Sequence, residues 1–123
     1  MSNPAPANAA VWFEIPVTDI KHSMAFYGGV LGSELRLDET GPNPMAIFPA
    51  AGDQAVAGHL YPGRPAGKGA GPTVHLAVAA PLEAAMRRVT EHGGQVVSPV
   101  IAIPAGSFAY CTDPDGNSFG LFV

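Results

Sequence analysis

Three side chains able to do chemistry stand on strand-like stretches where their direction can be read. Val11-Trp12-Phe13-Glu14-Ile15-Pro16-Val17 is rich in β-branched and aromatic residues and reads as a strand. Side chains alternate between the faces of a strand, so Phe13, Ile15 and Val17 share one face and Trp12, Glu14 and Pro16 the other. Thr73 to Val78 reads the same way, with Val74, Leu76 and Val78 on one face and His75 on the other. An apolar helical stripe follows each stretch and can cover its apolar face. Trp12, Glu14 and His75 then point away from the helices. A carboxylate and an imidazole so placed could work as a general-base pair, contribute to a metal site, or orient a bound ligand. They could also be simply solvated. The Trp12 indole could stack on a flat ligand or pack into the core. His22 and His92 fall in or at the end of helices, off the apolar stripes, and read as solvated surface residues. Cys111 precedes the final turn without a basic neighbour and reads as a buried, inert thiol.

The elements that must position these groups form a repeating series. Thr18-Asp19 offers a helix N-cap, and Ile20, Met24 and Tyr27 form one stripe of the helix that follows, with Gly28-Gly29 and Gly32 ending it. Glu34 to Asp38, Met45 to Pro49 and Gln54 to Tyr61 follow as short strands, punctuated by Gly41-Pro42 and Gly52-Asp53. The second unit begins at the Thr73–Val78 strand. Pro81 suits the first helical position, and Leu82, Ala85, Met86 and Val89 supply the stripe before Gly93-Gly94. Gln95 to Ile103, Ser107 to Thr112 and Asn117 to Val123 read as three more strands, the last entered through the turn Asp113-Pro114-Asp115-Gly116. Ile20, Met24, Tyr27 and Gly32 correspond to Leu82, Met86, Val89 and Gly94 at a constant offset of 62, which argues duplication. The expected fold is α+β: two tandem βαβββ modules forming one curved mixed sheet around a cleft. The expected division is one domain, with module one over about 9–61, a linker at 62–71 and module two over 72–123. The Pro- and Gly-rich linker fits no phosphate-loop pattern, and no helix follows it.

Composition excludes several classes. A chain of 123 residues, 47% apolar and only 13% charged, can bury one real core. With a net charge of −4 and six Lys and Arg in no run, it is not an electrostatic nucleic-acid binder. No apolar stretch approaches the ~18 residues of a membrane span. Met1 to Asn8 lacks the basic and apolar regions of a signal peptide and reads as a short disordered lead-in. A lone cysteine allows no internal disulfide, so the expected setting is cytoplasmic.

Phe13-Glu14-Ile15-Pro16-Val17-Thr18-Asp19, Ala25-Phe26-Tyr27 and Val30-Leu31-Gly32 resemble the opening of a vicinal oxygen chelate protein, the superfamily of glyoxalases, bleomycin-resistance proteins and extradiol dioxygenases. Asp113-Pro114-Asp115-Gly116-Asn117 with Phe119-Gly120-Leu121 is similar to its C-terminal motif. The resemblance covers about residues 9–123. It implies that the strands enclose a cleft, often completed by dimerisation. It also implies that metal-dependent members take His, Gln or Glu ligands from positions that fall here on Trp12, His59, Thr73 and Gly120. His59 alone is a ligand type, so the expectation is no metal and no cofactor. By the same resemblance, Glu14, His59 and His75 meet in the cleft, with Trp12 and Tyr110 completing a largely apolar wall. Glu14, His59 and His75 could be a relocated metal site, a general-base pair or ligand-orienting groups. The expected function is binding of a flat or amphipathic small molecule by a homodimer, without nucleic-acid or membrane partners. The rivals are a metal-dependent lyase, isomerase or dioxygenase with a relocated site, and a drug-sequestering resistance protein.

Overall fold

The computed structural model describes residues 3–52 and 54–123. The order is β1 (Glu14–Val17), α1 (Ile20–Leu31), β2 (Arg36–Asp38), β3 (Met45–Ile47) and β4 (His59–Pro62), then β5 (Val74–Ala77), α2 (Leu82–Glu91), β6 (Gln95–Val96), β7 (Ile101–Ile103), β8 (Gly106–Thr112) and β9 (Ser118–Phe122). The fold is α+β and repeats the βαβββ unit. Its strands form two mixed sheets, however, rather than the single curved sheet expected. One runs β1-β4-β3-β2 and the other β5-β9-β8-β6, with β7 also on β8. In each, the first strand lies parallel to the last.

The local chemistry explains most boundaries. Asp19 caps α1, its carboxylate accepting from the His22 N–H at 3.2 Å. The helix ends on Gly32 in the left-handed conformation (φ 73°), whose N–H donates to the Gly28 carbonyl at 2.9 Å. Gly28-Gly29 does not stop it. Gly29 is small because the His92 imidazole lies where its Cβ would stand; His92 is exposed, as expected, and also makes an interhelical contact. Arg88 adds a bond from Nε to the Val30 carbonyl at 2.9 Å. Pro81 occupies the N-cap of α2 rather than its first turn. The expected Gln95–Ile103 strand is broken between Val96 and Ile101. β6 pairs with Cys111 and Thr112, β7 with residues 106–108, and Ser98 bridges the gap by accepting the Tyr110 N–H at 2.8 Å.

The helices sit between the sheets. Tyr27 of α1 packs on Phe48 beside β3 and on Phe119 of β9, at ring-centroid distances of 5.3 and 5.4 Å. The buried face of α1 is Ser23, Phe26, Tyr27 and Val30, while Ile20 and Met24 are only partly buried. The stripe read from Ile20, Met24 and Tyr27 is therefore rotated toward Phe26. On β1 the alternation is as expected, with Ile15 and Val17 in the core and Glu14 exposed. Leu76 is buried and His75 exposed on β5. Asp53, read as part of a turn, and Met1 and Ser2 of the lead-in lie outside the described residues.

A buried polar clamp joins the halves at one end. Asp113, 4% exposed, accepts from the Tyr27 hydroxyl (2.7 Å), the Asn117 side-chain amide (2.9 Å) and the N–H groups of Asp115 and Asn117 (both 2.9 Å). The Asn117 amide also donates to the Pro16 carbonyl at 2.8 Å, and Thr18 donates its hydroxyl and N–H to Asp115. The C-terminal turn motif thus fastens module two to the end of β1. It also closes the free edge of β1, where Pro16 has no N–H to offer another strand.

Glycine at 29 yields a direct test. Gly→Ala inside a helix normally gains about 1 kcal/mol. Here the added methyl meets the His92 ring, so Gly29→Ala is expected to lose roughly 1–3 kcal/mol. In a His92→Ala background the same change should gain stability, as read by urea unfolding. Equal effects in both backgrounds would refute the contact.

Candidate functional site

The β1–β4 register sets Glu14 beside His59 on the outer face of the first sheet. His59 is nevertheless only 6% exposed, because Trp12 and Tyr61 flank its ring at 5.9 and 6.1 Å. The Trp12 indole Nε1–H donates to His59 Nδ1 at 2.8 Å. An indole nitrogen only donates, so Nδ1 must accept and the neutral ring carries its proton on Nε2. That nitrogen faces Glu14 Oε1 at 3.3 Å. The result is a carboxylate–imidazole–indole chain in which both ring nitrogens are engaged.

The second sheet presents a different face. In register, His75 of β5 and Tyr110 of β8 flank Gly120 of β9. A Cβ at position 120 would collide with the His75 ring, so the imidazole occupies the space a side chain there would take. Phe108, Tyr110 and Phe122 surround His75 at 5.0, 5.8 and 6.2 Å. Phe108 and Phe122 went unnoticed in the sequence, although each lies two positions from a residue already placed on this face. Gly120→Ala should displace His75 and destabilise the fold by roughly 1–3 kcal/mol. NMR would show the perturbation centred on the His75 and Tyr110 rings, and an unmoved His75 would refute the seating.

A cavity of about 960 Å³ opens between the halves. Its wall includes Trp12, Phe48 and Val56 from the first half and the whole run Thr73 to Ala77 from the second. Trp12 and His75, both singled out in the sequence, line it. Glu14 and His59 stand behind Trp12 on the first sheet's outer face, and Tyr110 stands beside His75 on the second's. The five residues thus form two clusters, linked to one cavity through Trp12 and His75. Cys111 is fully buried, and burial pushes its thiol up to about 11, which suits packing and not nucleophilic attack.

Residues 9–121 match the Glyoxalase/Bleomycin resistance protein/Dioxygenase superfamily. The chain belongs to this superfamily. Among solved structures, it is similar to a glyoxalase/bleomycin resistance protein from Albidiferax ferrireducens T118, at 21% identity over 94% of this chain and 98% of that one (TM-score 0.74). A hypothetical protein from S. aureus is 22% identical over 96% and 99% of the two chains (TM-score 0.71). The fosfomycin resistance protein FosX from Mesorhizobium loti is 16% identical over 97% and 93% (TM-score 0.65). At these identities the likenesses speak for the fold. No curated protein matches.

The donors do not fit the superfamily's metal. Trp12 offers only an N–H, already given to His59. Both His59 nitrogens are engaged. The Thr73 hydroxyl is bonded to that of Ser118 at 2.5 Å, and Gly120 has no side chain, its space filled by His75. Among the described residues no three His, Cys, Asp or Glu side chains converge.

Proposed function

We propose that this chain is a metal-independent binding protein for a small organic molecule. The observation that carries the reading is the cavity of about 960 Å³, walled mostly by apolar groups and carrying Trp12 and His75. Its size is within the roughly 300–1,000 Å³ of ligand sites, and a few polar groups on an apolar wall give orientation. Trp12 contributes its ring to the wall and ties it to His59, and His59 in turn contacts Glu14, so the indole is held in one pose. Tyr110 supports His75 by ring contact alone, at 5.8 Å. The setting we assign is cytoplasmic. Among the described residues no helix is long and apolar enough to cross a membrane.

A second reading has one observation in its favour: the Glu14–His59 contact of 3.3 Å could serve acid–base chemistry in a lyase or isomerase. The name of the fosfomycin resistance protein among its structural neighbours points to drug resistance as one biological use of such binding. Elemental analysis of protein purified without chelators tests the metal-independent reading. Stoichiometric zinc, nickel, iron or manganese would overturn it.

We further propose a homodimer. Val97, Val100 and Ile103 are 56%, 40% and 43% exposed, beside β6 and on β7, the side of the second sheet away from β5. Such an apolar edge needs covering. Light scattering should give twice the chain mass at micromolar concentration; a monomer mass unchanged on dilution would refute it.

A further inference from the structure

The Trp12–His59 bond exists in only one charge state of the imidazole. An indole nitrogen donates and never accepts, so the bond of 2.8 Å needs a bare His59 Nδ1. The imidazolium carries a proton on both nitrogens, and its Nδ1–H points at the indole N–H, donor against donor. A proton on His59 therefore breaks the bond and strands two donors at a residue only 6% exposed. Neither reaches water until one ring moves.

His59 is the ring that stays. It belongs to β4, which lies between β1 and β3, and its backbone N–H donates to the Phe13 carbonyl at 3.0 Å. Trp12 lies ahead of β1 and is 46% exposed. Protonation also gives Glu14 Oε1, 3.3 Å from Nε2, an ion pair in place of a neutral contact. The carboxylate thus favours the state in which the indole is let go. Other charges are distant. By register, the row across the outer face of the first sheet is Glu14, His59, Ile47 and Arg36. β3 contributes no titratable group, and β4 adds only the Tyr61 ring at 6.1 Å. Arg36 stands two strands away, its guanidinium 3.8 Å from the Asp38 carboxylate. Residues 3–13 carry no ionisable side chain.

We propose that His59 is a proton-operated latch on Trp12: the neutral ring holds the indole in the cavity wall, and the imidazolium releases it. The latch belongs to the free chain and stands apart from the small-molecule reading. A ligand resting on the Trp12 ring is held above the transition and let go below it. Trp12 is the only tryptophan, so the ¹⁵N-labelled full chain gives one indole N–H signal. Its protection from solvent exchange, relative to free tryptophan at the same pH, is followed from about pH 8 to pH 5, the span over which imidazoles ordinarily change charge. The nitrogen shifts of the His59 ring are followed with it. Where the ring is neutral, Nδ1 should be bare and the indole protected. As the ring gains its proton, protection should fall about tenfold, the loss of one hydrogen bond, with the same midpoint. Glu14→Gln, at a side chain 64% exposed, leaves the fold alone and should lower that midpoint. His59→Gln offers the indole an amide oxygen and has no proton to gain, so its indole signal should not respond. An indole protected across the whole range, a response that survives in His59→Gln, or a midpoint unmoved in Glu14→Gln would each overturn the latch.

Discussion

Asp113→Ala is expected to lower stability by on the order of 3–5 kcal/mol, a fall of about 10–20 °C in melting temperature for a domain of this size. The carboxylate accepts four hydrogen bonds in a site only 4% exposed. Truncation leaves the Tyr27 hydroxyl, the Asn117 amide and two backbone N–H groups without their acceptor, and each stranded buried donor costs far more than a satisfied one contributes. Tyr27→Phe removes one donor and leaves the carboxylate three others, so about 1–2 kcal/mol is expected. The pair also predicts a pH dependence. Burial, followed by the negative charge of Asp113, pushes the Tyr27 phenol well above its ordinary value of 10.0. The unfolded chain then ionises at this residue near pH 10 while the folded one keeps its proton. Stability from Tyr27 is fully present below pH 10 and falls above it, by up to about 1.4 kcal/mol per pH unit. Tyr27→Phe should flatten that fall in alkaline urea titrations. Identical alkaline slopes in the two proteins would count against the buried phenol.

Trp12→Ala should weaken ligand binding by roughly 1–3 kcal/mol, or about 5- to 150-fold. Trp12 is the chain's only tryptophan, so its emission reports binding of the unmodified protein directly, and calorimetry measures the variant. Trp12→Phe separates two contributions. It keeps an aromatic wall and removes the N–H that holds His59 Nδ1. Loss similar to Trp12→Ala would assign the effect to the hydrogen-bonded chain through His59 and Glu14. A smaller loss would assign it to ring contact. Unchanged binding by Trp12→Ala would place the ligand elsewhere.

Strand direction was legible in the sequence because two-residue alternation is a local property. Ile15 and Val17 went inward and Glu14 outward from that rule alone, as did Leu76 and His75. The rotation of α1 was not legible. Ile20, Met24, Phe26, Tyr27, Val30 and Leu31 spread apolar groups around most of the helix, and it is the second half, through Phe119 and Gly94, that selects the Phe26 side. Gly28-Gly29 looked like a helix stop because intrinsic propensity is all that a sequence shows. Its use is to admit His92, far along the chain. The indole–imidazole bond spans 47 positions and depends on the parallel β1–β4 pairing. The clamp of Tyr27, Asp113 and Asn117, which fastens one end of the two halves, spans 86 and 101 positions and was equally illegible. At the offset of 62, Val89 stands where the first half has Tyr27, so that hydroxyl is missing from the second half.

Native mass spectrometry of protein purified without chelators is the decisive test of metal-independent ligand binding. A folded species carrying one organic small molecule per chain, released on denaturation, with no metal mass, is expected. Displacement of that molecule should change Trp12 emission. A folded species carrying a stoichiometric transition metal and no organic ligand would refute metal-independent binding.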